Sequence, residues 1–257
     1  METYSKNIEF AGNMMQQAIN AGFMPEGLPD FSDGFDVYAG WEITRKGDNS
    51  LTPEQNRLLA YGAPLFLYND DNVDSLESTA GTDTLKEMLE EWWEVTDRKS
   101  ALETISWLLN EGQHAGADPA LTEIRQRGIE AITEEEKADE DSKIGDAFTI
   151  AEFVMGVNET TEADLPETVL AWDLVRAVNM ARWAFICGYI NEDEMWEAIR
   201  TTAGIAKESF NSWEEYGNSF AVGRGIWRGE TDDYETADEV VGALLNKEDS
   251  PWKAIEW

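Results

Sequence analysis

Apolar positions recur along most of the chain at the three-to-four-residue step of an α-helix, but Pro166 to Tyr189 (PETVLAWDLVRAVNMARWAFICGY) breaks the single-stripe pattern. On a helical wheel Leu174, Val178 and Phe185 fall on one side and Trp172, Val175 and Trp183 on another. A helix apolar on nearly all sides is enclosed by other helices. Asp173, Arg176, Asn179 and Arg182 enter it at steps of three, and such surroundings tolerate polar groups only when they are paired. Asp173 and Arg176 stand three apart, the spacing of an internal ion pair. Asn179 and Arg182 are expected to reach neighbouring helix ends or Ser212 to Tyr216.

The rest of the chain supplies the enclosure. Asn7 to Asn20 has a helical period, and a long connection from 25 to 50 follows, with Phe31, Phe35, Val37, Tyr38 and Trp41 as anchors and DVYAGWEIT as a short strand. Thr52, Pro53 and Gln55 carry the signal of a capped helix to about Tyr61. Pro64 to Tyr68 is apolar, and Asn69 to Glu77 reads as a solvated acidic loop. Helices are expected from a Thr82 or Asp83 cap to Trp93, from an Asp97 cap to Asn110 with Gly112 as the stop, over Pro119 to Ile132, and over Ile144 to Val157. Capping-box spacings at Asn191/Glu194, Ser212/Glu215 and Thr236/Glu239 introduce three more. Ser250 to Trp252 begins a short terminal turn, with Trp252, Ile255 and Trp257 docking on the body. Eight to ten helices without βαβ alternation predict one all-α globular domain over 1–257, built around the buried helix 166–189. The charged run TEEEKADEDSK (133–143) is the candidate for a flexible acidic connector, with a solvated face of the domain as the favoured reading.

Composition changes this picture mainly through charge. Fifty-three acidic residues against nineteen basic ones give a formal charge of −34, which repels nucleic acid and anionic membranes and attracts a basic protein. Eleven tryptophans promise an aromatic-rich core. No run approaches the ~20 apolar residues of a membrane span and the first residues lack a signal-peptide pattern, so a cytoplasmic location is expected. The one cysteine, Cys187, falls in the apolar helix and behaves there as a small hydrophobe.

Chemistry-bearing motifs are sparse. G-x-S-x-G is absent, and one histidine serves the whole chain. Gly223-Arg224-Gly225 lacks the preceding strand and third glycine of a dinucleotide loop. Glu111 and His114 have a di-metal ligand spacing, but the motif occurs once and Gly112 interrupts it, so neither metal nor cofactor is expected. Two groups of residues remain as candidate sites. One is a buried polar network or anion pocket of Asp173, Arg176, Asn179, Arg182, Trp183, Tyr189, Trp213, Tyr216 and Trp227. The other is an acidic partner surface of Asp70, Asp71, Asp74, Glu134, Glu135, Glu136, Asp139, Glu140, Asp141, Asp232 and Asp233.

The stretches WDLVRAVNMARWAFICGYINEDEMW and SFNSWEEYGNSFAVGRGIW resemble the bacterial Domain of Unknown Function 1266 family over 170–227. LTPEQ and DRKSALETISWLLNEGQHA carry a weaker likeness over 51–115, and 133–168 carries none. The resemblance implies the fold and no activity. The expectation for function is therefore a non-enzymatic acidic protein that engages a basic protein partner, such as an immunity protein neutralising a toxin or a nucleic-acid-mimicking inhibitor. An enzyme or small-anion binder with a pocket at Asp173, Arg176 and Arg182 is the first alternative. A structural or oligomeric module whose acidity reflects habitat is the second.

Overall fold

The computed structural model describes residues 38–139 and 141–257, whose regular elements are helices. The helix expected over Asn7 to Asn20, the anchors Phe31, Phe35 and Val37, and Glu140 lie outside the described residues. Residues 38–44 form a turn and irregular chain instead of the described part of the expected strand. Val73 N–H donates to Thr44 O (3.0 Å), while Tyr38 and Trp41 pack onto the core.

Helix α1 (Pro53–Leu59) starts at the expected Thr52 capping box and leads through a 3-10 turn, Ala60–Gly62, into α2 (Ala63–Tyr68). Helix α3 (Thr82–Trp93) has Gly81 as its N-cap, so Thr82 and Asp83 open the helix without capping it. Helix α4 (Arg98–Asn110) is capped by Asp97 and Ser100. Helix α5 (His114–Arg127) begins ahead of the expected Pro119 and ends before Ile132, and Pro119 lies inside it. Its start is set from outside the local sequence, because the Asp173 carboxylate accepts the Gln113 and His114 N–H groups that a helix N-terminus leaves free.

Helix α6 (Glu134–Lys137) occupies the candidate connector. Thr133 caps it, Arg127 bonds Glu136 (2.6 Å), and Lys137 Nζ lies 3.6 Å from the Phe148 ring centroid. The segment is thereby anchored on both sides. Helix α7 (Ile144–Asn158) precedes α8 (Leu170–Ile186), which is the expected central helix with every residue from Ala171 to Ala184 buried. Helices α9 (Glu192–Ser209) and α10 (Trp213–Arg228) follow their predicted caps at Asn191 and Ser212. Helix α11 (Thr231–Asn246) does not start at Thr236; that hydroxyl donates to Asp232 O (2.8 Å) inside an unbroken helix. Helix α12 (Pro251–Ala254) is the short terminal turn.

Helix α8 is packed by α4, α9, α10 and the turn 60–62, while α11 lies along α10. Close approach depends on missing side chains. A Cβ on Gly223 of α10 would meet Trp172 Cβ at 2.7 Å and Val169 Cβ at 3.0 Å, and one on Gly217 would meet Val241 at 2.5 Å. The buried apolar residues join in one cluster running from Leu58 to Trp252. Among the described residues no helix is long and apolar enough to cross a membrane.

Candidate functional site

The polar residues of α8 divide between two scaffolding clusters and one cleft. Asp173 is fully buried and accepts from Gln113 N (2.9 Å), His114 N (2.8 Å) and His114 Nδ1 (2.8 Å), and it pairs with Arg176. Gly112 permits this convergence: its φ of +48° suits glycine, and a Cβ there would run into the Asp173 carboxyl. The Asp173 carboxylate raises the His114 pKa by hydrogen bonding, against the opposing effect of burial. Burial lowers the Arg176 pKa, and the charge of Asp173 opposes it.

Arg182, with no exposed surface, reaches the loop after α2. Its Nη1 donates to Asp71 (2.9 Å) and its Nη2 to Glu77 O (2.6 Å). Asp71 also accepts from Ser78 Oγ and Thr79 N, both at 2.8 Å. The acidic loop expected to be solvated is thus stapled to the core by a buried ion pair, and Asp71 is removed from the proposed partner surface. The reason is electrostatic, since a guanidinium this deeply buried requires a carboxylate. Asn179 donates to Gly62 O (3.1 Å) and Val175 O (2.8 Å). Neither Arg182 nor Asn179 bonds to Ser212 to Tyr216; among the described residues their side-chain partners lie at 62, 71, 77 and 175.

Arg176 turns toward a cleft of about 1400 Å³ between α2, α3, α4, α8, α10 and the start of α11. Helix α8 gives it Trp172, Arg176 and Trp183; α10 gives Arg224, Trp227 and Arg228 at steps of three and four; α3 gives Trp92 and Trp93, and α4 gives Trp107. Cations and rings alternate along its floor. Arg176 lies 5.7 Å from the Trp93 ring and 4.6 Å from Trp172, and Arg224 lies 5.6 Å from Trp172 and 4.2 Å from Tyr68. Such contacts are worth about 0.5–2 kcal/mol each and hold the rings in place. Arg224 also donates to Tyr68 Oη (2.9 Å) and pairs with Asp233 (2.8 Å). The large apolar side chains exposed among the described residues are Tyr68, Trp92, Trp107 and Trp227, and all four line this cleft.

Of the expected pocket residues, Arg176, Trp183 and Trp227 line the cleft, whereas Asp173 stands behind Arg176. Trp213 and Tyr216 belong to a separate aromatic cluster with Tyr61, Trp252 and Trp257, and Tyr189 is half-buried away from the cleft. Sequence reasoning passed over Trp92, Trp93, Trp107, Arg224 and Arg228. The Arg224, Trp227, Arg228 spacing places three side chains on one helical face and was the available signal.

The acidic residues fare unequally. Asp70, Glu134, Glu135, Asp139, Asp141 and Asp232 are exposed. Glu136 is held by Arg127, Asp74 caps the Lys46 and Gly47 N–H groups, and Asp233 is taken up by Arg224 and Arg228. No group of three or more His, Cys, Asp or Glu side chains among the described residues is placed to hold a metal ion.

Comparison with curated proteins and with solved structures finds no match to this chain. The family model described as "Protein of unknown function (DUF1266)" matches residues 88–257, a span that holds α4 to α12 and includes the segment 133–168 in which no likeness was expected, while 51–87 lies outside it. With that match over more than half its length, the chain belongs to the DUF1266 family.

Proposed function

We propose that this protein is a non-enzymatic binding protein whose recognition site is the tryptophan–arginine cleft. The gathering at one concavity of the four large aromatics exposed among the described residues carries the reading. Exposed apolar groups scattered singly need no explanation, but a contiguous aromatic patch in a cleft is the usual form of a ligand or partner site. Tryptophan and arginine are also the residues that dominate recognition energies. The anion-pocket alternative is thereby relocated, from Asp173, Arg176 and Arg182 to Arg176, Arg224 and Arg228.

The test is recovery of bound species from native lysate on the full chain, with proteins and small molecules both identified by mass spectrometry. A species held by the wild type and depleted about tenfold or more in a Trp92→Ser/Trp107→Ser double variant supports the cleft, that factor being the ~1.4 kcal/mol expected of an anchoring aromatic. Equal recovery on both, or none on either, sets the reading aside.

A second reading is favoured by the formal charge of −34 and the exposed carboxylates Glu134, Glu135, Asp139 and Asp141. In it the acidic surface steers a basic protein, a toxin or nucleic-acid-binding protein, toward this chain in the cytoplasm. Such an association weakens as salt rises. An affinity indifferent to salt argues against it.

A further inference from the structure

We propose that the floor of the cleft binds a small aromatic monoanion, with its carboxylate or sulfonate on Arg224 and Arg228 and its ring system against the tryptophans. The inference rests on reading the cleft as the recognition site and goes on to name its ligand class.

The cleft as a whole is lined by three arginines and four carboxylates, Asp71, Glu94, Glu103 and Asp233, but the charges at its α10 wall favour an anion. Arg224 Nη2 and Arg228 Nε converge on one carboxylate, Asp233, at 2.8 and 3.5 Å, so two guanidiniums share a single negative charge. Arg228 keeps half its side chain exposed (51%), and its 3.5 Å pairing leaves guanidinium surface open to a ligand. Arg176 adds a third cation to the lining, answered from behind by Asp173.

Two donors on the floor lack partners. Arg224 Nε and Trp172 Nε1 make no hydrogen bond among the described residues, although their residues are only 9% and 3% exposed. Buried polar groups are nearly always satisfied, so two orphans beneath one cleft call for an explanation; both atoms are shielded from solvent, and a ligand acceptor reaches them only when the floor side chains shift. Both residues line the cleft, and both orphans are N–H donors.

The same surroundings limit the class. A cation held on aromatic faces is disfavoured because the protein's own guanidiniums already occupy the rings of Trp172, Tyr68 and Trp227, at 4.6, 4.2 and 5.3 Å. Glu94 and Glu103 also line the cleft and oppose further negative charge, which favours a monoanion over a polyphosphate. The exposed Trp92 and Trp107, across the cleft from these guanidiniums, supply flat apolar surface for a ring system, and the volume leaves room for one.

The experiment titrates the folded full chain with two fluorescent probes that share a ring system, anilinonaphthalene sulfonate and the neutral phenylnaphthylamine. Saturable binding of one sulfonate per chain is expected, about tenfold tighter than the neutral probe, as one charge-assisted contact allows. Arg228→Gln, at an exposed position, should weaken the sulfonate about tenfold and leave the neutral probe unchanged, whereas Asp233→Asn should tighten the sulfonate. Cooperative unfolding of each variant excludes dye uptake by a loosened core. Equal affinities for both probes, with Arg228→Gln silent, overturn the anion site and leave the cleft as an apolar recognition site. Binding of neither probe overturns the anion site and, for small ligands, the cleft reading as well.

Discussion

Asp173 ties three segments of backbone and side chain together from inside the core. It is the partner of Arg176, of His114 and of two N–H groups at the start of α5, with no exposed surface. Truncating one member of a buried pair leaves the other charged and unpaired, so Asp173→Ala should lower the unfolding free energy by about 3–5 kcal/mol. Urea denaturation measures this, and a loss under about 1 kcal/mol would remove Asp173 as the lock between α5 and α8. His114 adds a pH dependence. Its folded pKa is raised from the ordinary 6.5 by its hydrogen bond to Asp173, so its contribution is full below 6.5 and fades as pH rises through the higher folded value. Asp118 acts in the same direction, because burial raises its carboxyl above 3.8 and favours the protonated native form at low pH. In His114→Gln the stability gap to wild type should therefore be larger at about pH 5.5 than at about pH 8.5. Parallel pH profiles for the two proteins would contradict that assignment.

At the scale of elements, caps and stripes were largely legible and register was not. The boxes at Thr52 and Asn191 and the caps at Asp97 and Ser212 form as their local chemistry requires. The same spacing at Thr236 and Glu239 is inert, because an S/T-x-x-E pattern also occurs within a helix whose backbone donors are already used. The start of α5 was illegible because its cap is a carboxylate 60 residues away. Close helix contacts are likewise a tertiary matter, and two glycines should show it with opposite signs. Gly204→Ala on α9 meets nothing within 4 Å and should stabilise by up to about 1 kcal/mol through helix propensity. Gly223→Ala on α10 drives a methyl group into Trp172 and Val169 and should destabilise by about 1–3 kcal/mol, the overpacking outweighing the propensity gain. Thermal melts of the pair check both signs together.

For the molecule as a whole, a formal charge of −34 is a continuous self-repulsion that compact folding intensifies. Screening becomes effective over about 10 Å at 0.1 M salt, so the melting temperature should rise between low and moderate sodium chloride. A flat or falling curve would mean that local ion pairs such as Arg98–Glu194 and Arg127–Glu136 outweigh the global term. Within this negative field the α10 wall of the cleft is a local concentration of cationic charge, Arg224 and Arg228 sharing the single carboxylate of Asp233. The cleft joins α2, α3, α4, α8, α10 and the start of α11, segments spread from Leu65 to Asp233, and so belongs to the assembly and not to any one element.

Helix content, the identity of the central helix and the Asp173–Arg176 pair followed from local sequence, because periodicity, capping and three-residue spacing act within a few turns of chain. The destination of Arg182, the burial of Asp71 and the gathering of Trp92, Trp107, Trp227 and Arg224 around one cleft were settled by tertiary structure. A buried charge takes whichever carboxylate the packing of distant helices brings to it. An exposed tryptophan is indistinguishable in sequence from a core one until its neighbours are in place.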